Sequence, residues 1–145
     1  MRTLTLLAGL LTIAALTAPA GGATPTGTVS AHASRYGTVL FDGRGFALYA
    51  FTKDPRGKSV CSGDCAKAWP PYLVHGRPAA TAGAQAKLLG ITRRSDGTAQ
   101  ATYAGRPLYY YVGDRKPGQT NGQGLNQFGA KWYVLSPSGR KIDDD

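Results

Sequence analysis

The chain repeats itself. Leu48-Tyr49-Ala50-Phe51-Thr52-Lys53-Asp54 returns as Leu108-Tyr109-Tyr110-Tyr111-Val112-Gly113-Asp114. In each copy Leu-Tyr precedes an aromatic ring two residues on, and an Asp closes the segment five residues after the Tyr. A Gly-containing turn comes before both (Asp42-Gly43-Arg44-Gly45; Ala104-Gly105-Arg106-Pro107). A Gly-rich loop and then a Trp follow both (Trp69; Trp132). An internal repeat is one supersecondary unit built twice. Two related halves, at about residues 37–71 and 98–135, are therefore expected to share one interior.

The repeat sits behind a targeting segment. Residues 1–20 read as a signal peptide: Arg2 supplies the positive end, residues 4–16 are apolar or small, and Ala18-Pro19-Ala20 offers a small-x-small cleavage pattern. The apolar run falls short of the roughly 20 residues that span a bilayer. No transmembrane segment is expected after cleavage, and the protein should be secreted or associated with the cell wall. Residues 21–34 are mostly Gly, Ala, Thr, Ser and Pro without apolar periodicity and read as a flexible leader. Residues 35–142 then make a single β domain.

The strand pattern is legible between turns. A hairpin is expected around Asp42-Gly43-Arg44-Gly45, with residues 36–41 and 46–52 as its arms. In the second arm Phe46, Leu48 and Ala50 face one way and Ala47, Tyr49 and Phe51 the other, so both faces should be buried. A short helix over residues 64–68 follows the Cys pair, capped by Asp64 and stopped by Pro70-Pro71. Residues 72–74 could add a short strand. Residues 88–94, 99–103 and 108–112 form a meander, residues 116–128 a long Gly/Gln/Asn loop, and residues 131–135 a last strand. With about eight short strands and no crossover helices, the fold class is all-β, antiparallel and sandwich-like.

These strings resemble the secreted repeat of unknown function, the lipoprotein repeat family marked by a Tyr-x4-Asp motif. The first half matches from Gly37 through Leu48-Tyr49 to Asp54. It continues through Cys61-Ser62-Gly63-Asp64-Cys65-Ala66-Lys67-Ala68-Trp69-Pro70-Pro71. The second matches through Arg106-Pro107-Leu108-Tyr109 to Asp114, Gly122-Gln123-Gly124 and Trp132-Tyr133-Val134. The resemblance implies export and the two-repeat architecture, and assigns no chemistry. Many members carry a lipid-anchored cysteine near the signal peptide. This chain has none there, so lipid attachment is not implied.

Three groups of residues are candidates for a site. Tyr49/Asp54 and Tyr109/Asp114 are either two equivalent sites for a polar ligand or cation, or structural. In the structural reading the carboxylates accept N–H groups where strands end and the rings pack inside with tied hydroxyls. Turn chemistry favours the structural reading. Cys61 and Cys65 in an exported chain are most simply a disulfide. The alternative is a soft-metal (copper) or thiol-redox module using Cys61, Cys65 and His75. The only other His, His32, falls in the leader. Thirdly, Tyr109, Tyr110 and Tyr111 with Trp69 and Trp132 either form a platform for wall sugars or fill a core poor in Leu and Ile; the second is favoured.

Charge narrows the partners. The formal charge is +9, and loss of Arg2 lowers it by one. Every acidic residue is Asp, and three of the eight stand at the C-terminus. Such a body attracts anionic cell-wall polymers or an anionic envelope surface. The scattered basic residues carry no groove-reading motif, so nucleic acid is not expected. There is no Gly-x-Ser-x-Gly elbow and no paired carboxylate signature. The chain thus reads as a non-catalytic binding or structural module, monomeric and without cofactor. A weaker alternative is an enzyme with a site between the repeats, around Asp54 and Asp114.

Overall fold

The computed structural model describes Ala14 and residues 27–143. Apart from Ala14, the signal segment lies outside the described residues, and so does the leader as far as residue 26.

Among the described residues nine strands form three small sheets. Strands β1 (Thr28–Ser34), β2 (Gly37–Asp42) and β4 (Ala79–Thr81) make the first, in the order β2-β1-β4. The second runs β3-β9-β8, from β3 (Tyr49–Phe51), β9 (Ala130–Val134) and β8 (Asn126–Gln127). The third runs β5-β6-β7, from β5 (Leu89–Arg93), β6 (Ala99–Tyr103) and β7 (Arg106–Pro107). One five-residue helix, α1 (Asp64–Ala68), follows the Cys segment. The chain is all-β, as the turn spacing indicates. All pairings between named strands are antiparallel except β1 with β4, which is parallel.

Four local readings change. Residues 28–34 are not part of a flexible leader. They form β1, which pairs with β2 over six residues from Val29↔Asp42 to Ser34↔Gly37. Val29 is fully buried. A small-residue segment with weak periodicity is ordered here by a partner strand, a tertiary effect that composition does not report. His32 accordingly lies on β1, exposed, with its ring 6.1 Å from that of Phe41. Asp64 does not cap α1: the capping position is Gly63, and Asp64 instead meets Lys67 at 3.4 Å on the surface. In residues 108–112 only isolated bridges form, because Tyr109 pairs with both Tyr49 and Pro71.

Two cores lie on either side of the repeat strands. Leu48 and Ala50 enter one with Val29, Leu40, Tyr103 and Leu108. Ala47, Tyr49 and Phe51 enter the other with Trp69, Tyr109 and Trp132. The period of two in β3 and the apolar character of both its faces have this one cause. The second copy divides in the same way: Leu108 and Tyr110 contact the first core, Tyr109 and Tyr111 the second.

Candidate functional site

The two repeat strands meet at equivalent residues. Tyr49 N–H donates to the Tyr109 carbonyl at 2.8 Å, and Tyr109 N–H donates to the Tyr49 carbonyl at 2.9 Å. Each copy therefore faces the other antiparallel, and side chains reach across rather than back. The Tyr49 hydroxyl donates to Asp114 Oδ2 at 2.6 Å, and the Tyr109 hydroxyl donates to Asp54 Oδ2 at 2.7 Å. The second oxygen of each carboxylate takes a backbone N–H, from Asn121 to Asp114 and from Val60 to Asp54, both at 2.8 Å. The Tyr49 hydroxyl also accepts the Gly122 N–H at 3.1 Å, and the Tyr109 hydroxyl meets Ser59 Oγ at 2.6 Å.

The aromatic rings obey the same crossing. Trp69 and Trp132 stack at 4.0 Å. Trp69 stacks on Tyr111 of the other repeat at 4.4 Å, and Trp132 on Phe51 of the other repeat at 4.1 Å. The result is a four-ring column, Phe51–Trp132–Trp69–Tyr111. Tyr49 and Tyr109 stand edge-on against Trp69 and Trp132. Trp69, Trp132 and Tyr109 are fully buried, so they fill the core and offer no face to a sugar.

Burial sets the electrostatics. It pushes the Tyr49 hydroxyl far above its ordinary value, with further upward pressure from Asp114. Tyr109 rises for the same first reason, its Ser59 bond opposing and its Asp54 neighbour assisting. Tyr110 rises by burial and by its bond to Asp42 at 2.8 Å. The carboxyls of Asp54 and Asp114 are raised as well: desolvation outweighs the Tyr and backbone hydrogen bonds that favour the charged form. These phenols stay protonated and act as donors. Each hydroxyl ends on a carboxylate whose other oxygen is already occupied. The arrangement is a set of satisfied polar ties inside an aromatic core.

Cys61 and Cys65 are joined in a disulfide. Both are buried in the second core, beside Trp69. Their sulfurs are thus not available as thiolate ligands in this state, and His75 is exposed in a separate loop. Among the described residues no group of three His, Cys, Asp or Glu could hold a metal ion.

Several residues of this network are not evident in the sequence motifs. Arg94 is buried; it donates to Ser59 Oγ at 2.8 Å, Gln100 Oε1 at 2.9 Å and the Cys61 carbonyl at 2.7 Å. It links the disulfide loop to the Tyr109–Asp54 tie through Ser59. Alternation carried one residue past β5 could have found it, because Thr92 and Arg94 are buried on either side of the exposed Arg93. Asp42 is the other case. Its carboxylate takes the N–H groups of Arg44 and Phe46, the Arg44 guanidinium and the Tyr110 hydroxyl, which pins the first hairpin turn to the second repeat.

The family model described as secreted repeat of unknown function matches residues 30–72 and 90–136. The chain belongs to that family. Its two matched stretches contain the two halves that exchange partners here, and the family places the protein among secreted ones. No helix among the described residues is long and apolar enough to cross a membrane. No curated protein and no solved structure matches the chain.

Proposed function

We propose that this secreted repeat protein is a non-catalytic binding module whose positive exterior contacts anionic polymers of the cell envelope. One observation carries the reading: the aspartates of the first hairpin turn and of the two repeat motifs are tied inward, while most basic side chains stay outside and outnumber the surface aspartates Asp64, Asp96 and Asp143. Asp42, Asp54 and Asp114 spend their carboxylates on internal hydrogen bonds. Nearly all Lys and Arg side chains stay outside, Arg94 being the buried exception and Arg106 half-buried. Only three ion pairs form among the described residues: Arg44–Asp42, Lys67–Asp64 and Lys141–Asp143. Unpaired surface cations attract a polyanion over about a Debye length, and the attraction weakens as salt rises. The hydroxyls in the core are protonated and spoken for, which supports a role without catalysis.

Sedimentation of the purified protein with isolated cell wall, across a salt series, tests this. Binding at low ionic strength that declines with salt is expected. No binding even at low ionic strength sinks the reading.

A further inference from the structure

The crossing of the repeats leaves a crevice beside each of two equivalent turns. The turn of each copy docks on the loop after the Asp of the other. Gly57 N–H donates to the Gly105 carbonyl at 2.7 Å, and Gly118 N–H donates to the Gly45 carbonyl at 2.9 Å. A cavity opens beside each contact. The one beside Gly45 and Gly118 is lined by His32, Ala33, Phe41 and Pro117. The one beside Gly105, of about 240 Å3, has Phe51, Asp54, Arg56, Arg106 and Gly139 in its wall.

The two crevices adjoin equivalent turns and differ in their walls. Counted back from Leu108 and Leu48, Arg106 stands where the other copy has Phe46. Arg56, counted from Asp54, stands where the other has Lys116, and Lys116 does not line its cavity. The fold therefore does not require two guanidiniums here. Neither the Arg56 nor the Arg106 guanidinium makes a hydrogen bond or ion pair among the described residues, whereas that of Arg44 in the first turn is held by Asp42 at 3.0 Å. The remaining charge in the wall, Asp54, has its oxygens on Tyr109 and Val60, and the Arg94 guanidinium opposes it from inside. Gly105 sits at φ +76°, and a Cβ there would come within 2.8 Å of Arg56 Cγ, so the glycine lets the Arg56 stem lie flat along the turn.

We propose that the Arg56–Arg106 crevice is a phosphoryl-binding site, the point at which this module grips a phosphodiester of an anionic polymer. This rests on the polyanion reading above and gives it an address. Two guanidiniums from separate turns offer two forks, and a tetrahedral phosphoryl group has oxygens enough for both. A phosphodiester turns its two non-bridging oxygens outward from a tetrahedral centre toward two forks, whereas a carboxylate holds both oxygens in one plane and fits a single fork best.

Immobilised poly(glycerol phosphate) is the probe, with polygalacturonate as the carboxylate counterpart. Wild type is compared with Arg56→Ala/Arg106→Ala and with Lys87→Ala/Lys131→Ala, which removes the same charge elsewhere. The pocket variant should lose about tenfold in affinity for poly(glycerol phosphate) and the control no more than about threefold. Equal losses overturn the pocket and leave general surface attraction standing. Absence of wild-type binding to either polymer at low salt defeats both readings. Equal wild-type affinity for the two polymers overturns the phosphoryl assignment. A second measurement needs no variant: inorganic phosphate should slow modification of Arg56 and Arg106 by phenylglyoxal, read by mass spectrometry, while the exposed Arg115 reacts unchanged. Uniform rates at all three overturn the proposal.

Discussion

The Tyr49 hydroxyl ends on Asp114, not on Asp54, the aspartate of its own motif. Asp54 is taken by Tyr109 in the reciprocal arrangement. The Tyr-x4-Asp motif is thus half of a tie whose other half lies in the second copy. Neither repeat can satisfy its own buried polar groups alone, so the two halves should fold as one cooperative unit.

The crossing can be measured by double-mutant cycles in urea. Tyr49→Phe leaves Asp114 with one donor and should cost about 1–3 kcal/mol. Tyr49→Phe with Asp114→Asn should be non-additive by about 0.5–3 kcal/mol. Tyr49→Phe with Asp54→Asn should add within about 0.5 kcal/mol, since the two side chains share no hydrogen-bond partner. A larger coupling for the second pair than the first contradicts the crossed arrangement.

The pH dependence follows from the raised carboxyls. Asp54 and Asp114 hold their protons more tightly in the folded protein than at their ordinary value of 3.8, because burial penalises the charge. The stability this contributes is complete below that value and is lost as pH rises through the native values. Asp54→Asn and Asp114→Asn should each make the fall in urea midpoint above about pH 4 shallower than in wild type. Superimposable profiles would falsify this assignment of the slope.

Gly122 is a packing requirement as well as a donor. A Cβ there would lie 2.7 Å from Trp69 Cη2 and 3.0 Å from Tyr49 Cε1, in a core of stacked rings that have no room to move. Gly122→Ala should cost about 1–3 kcal/mol and disturb the near-ultraviolet circular dichroism of the Trp pair. Gly37 provides the control, as a Cβ there meets nothing within 4 Å, although its φ of +91° carries its own local cost. An unchanged aromatic signal in Gly122→Ala would refute the packing argument.

The disulfide closes a loop of four residues' separation, so its entropic effect is small. Cys61→Ser/Cys65→Ser should lose about 2 kcal/mol on the chain-entropy view. Because Arg94 donates to the Cys61 carbonyl, hydrogen exchange should quicken around residues 59–65 before it does in β1 and β2. Uniform quickening across all sheets would show that the bond acts globally instead.

Much of this was readable along the chain. Alternation in residues 46–51 told which side chains face each way, because a strand's period of two is local geometry. The turns at Asp42-Gly43-Arg44-Gly45 and Ser95-Asp96-Gly97-Thr98 are local chemistry too, and both occur between paired segments. Residues 28–34 escaped because nothing in their composition announces β2 as a partner. Asp64 was misassigned because Gly63, at φ +58°, already occupies the capping position. Arg94 was hidden beside Arg93, where two adjacent cations look like one solvated patch.

Duplication, export, strand alternation and the Cys pair were determined by the sequence alone, since each is a pattern within a short window. Only the tertiary structure decided which tyrosine serves which aspartate, which ring stacks on which, and which crevice keeps free guanidiniums. The physical reason is degeneracy. The two motifs carry the same donors and acceptors, so pairing within a copy and pairing between copies are equally legible in the chain. The choice falls to the antiparallel meeting of Tyr49 with Tyr109, a contact between residues far apart in sequence.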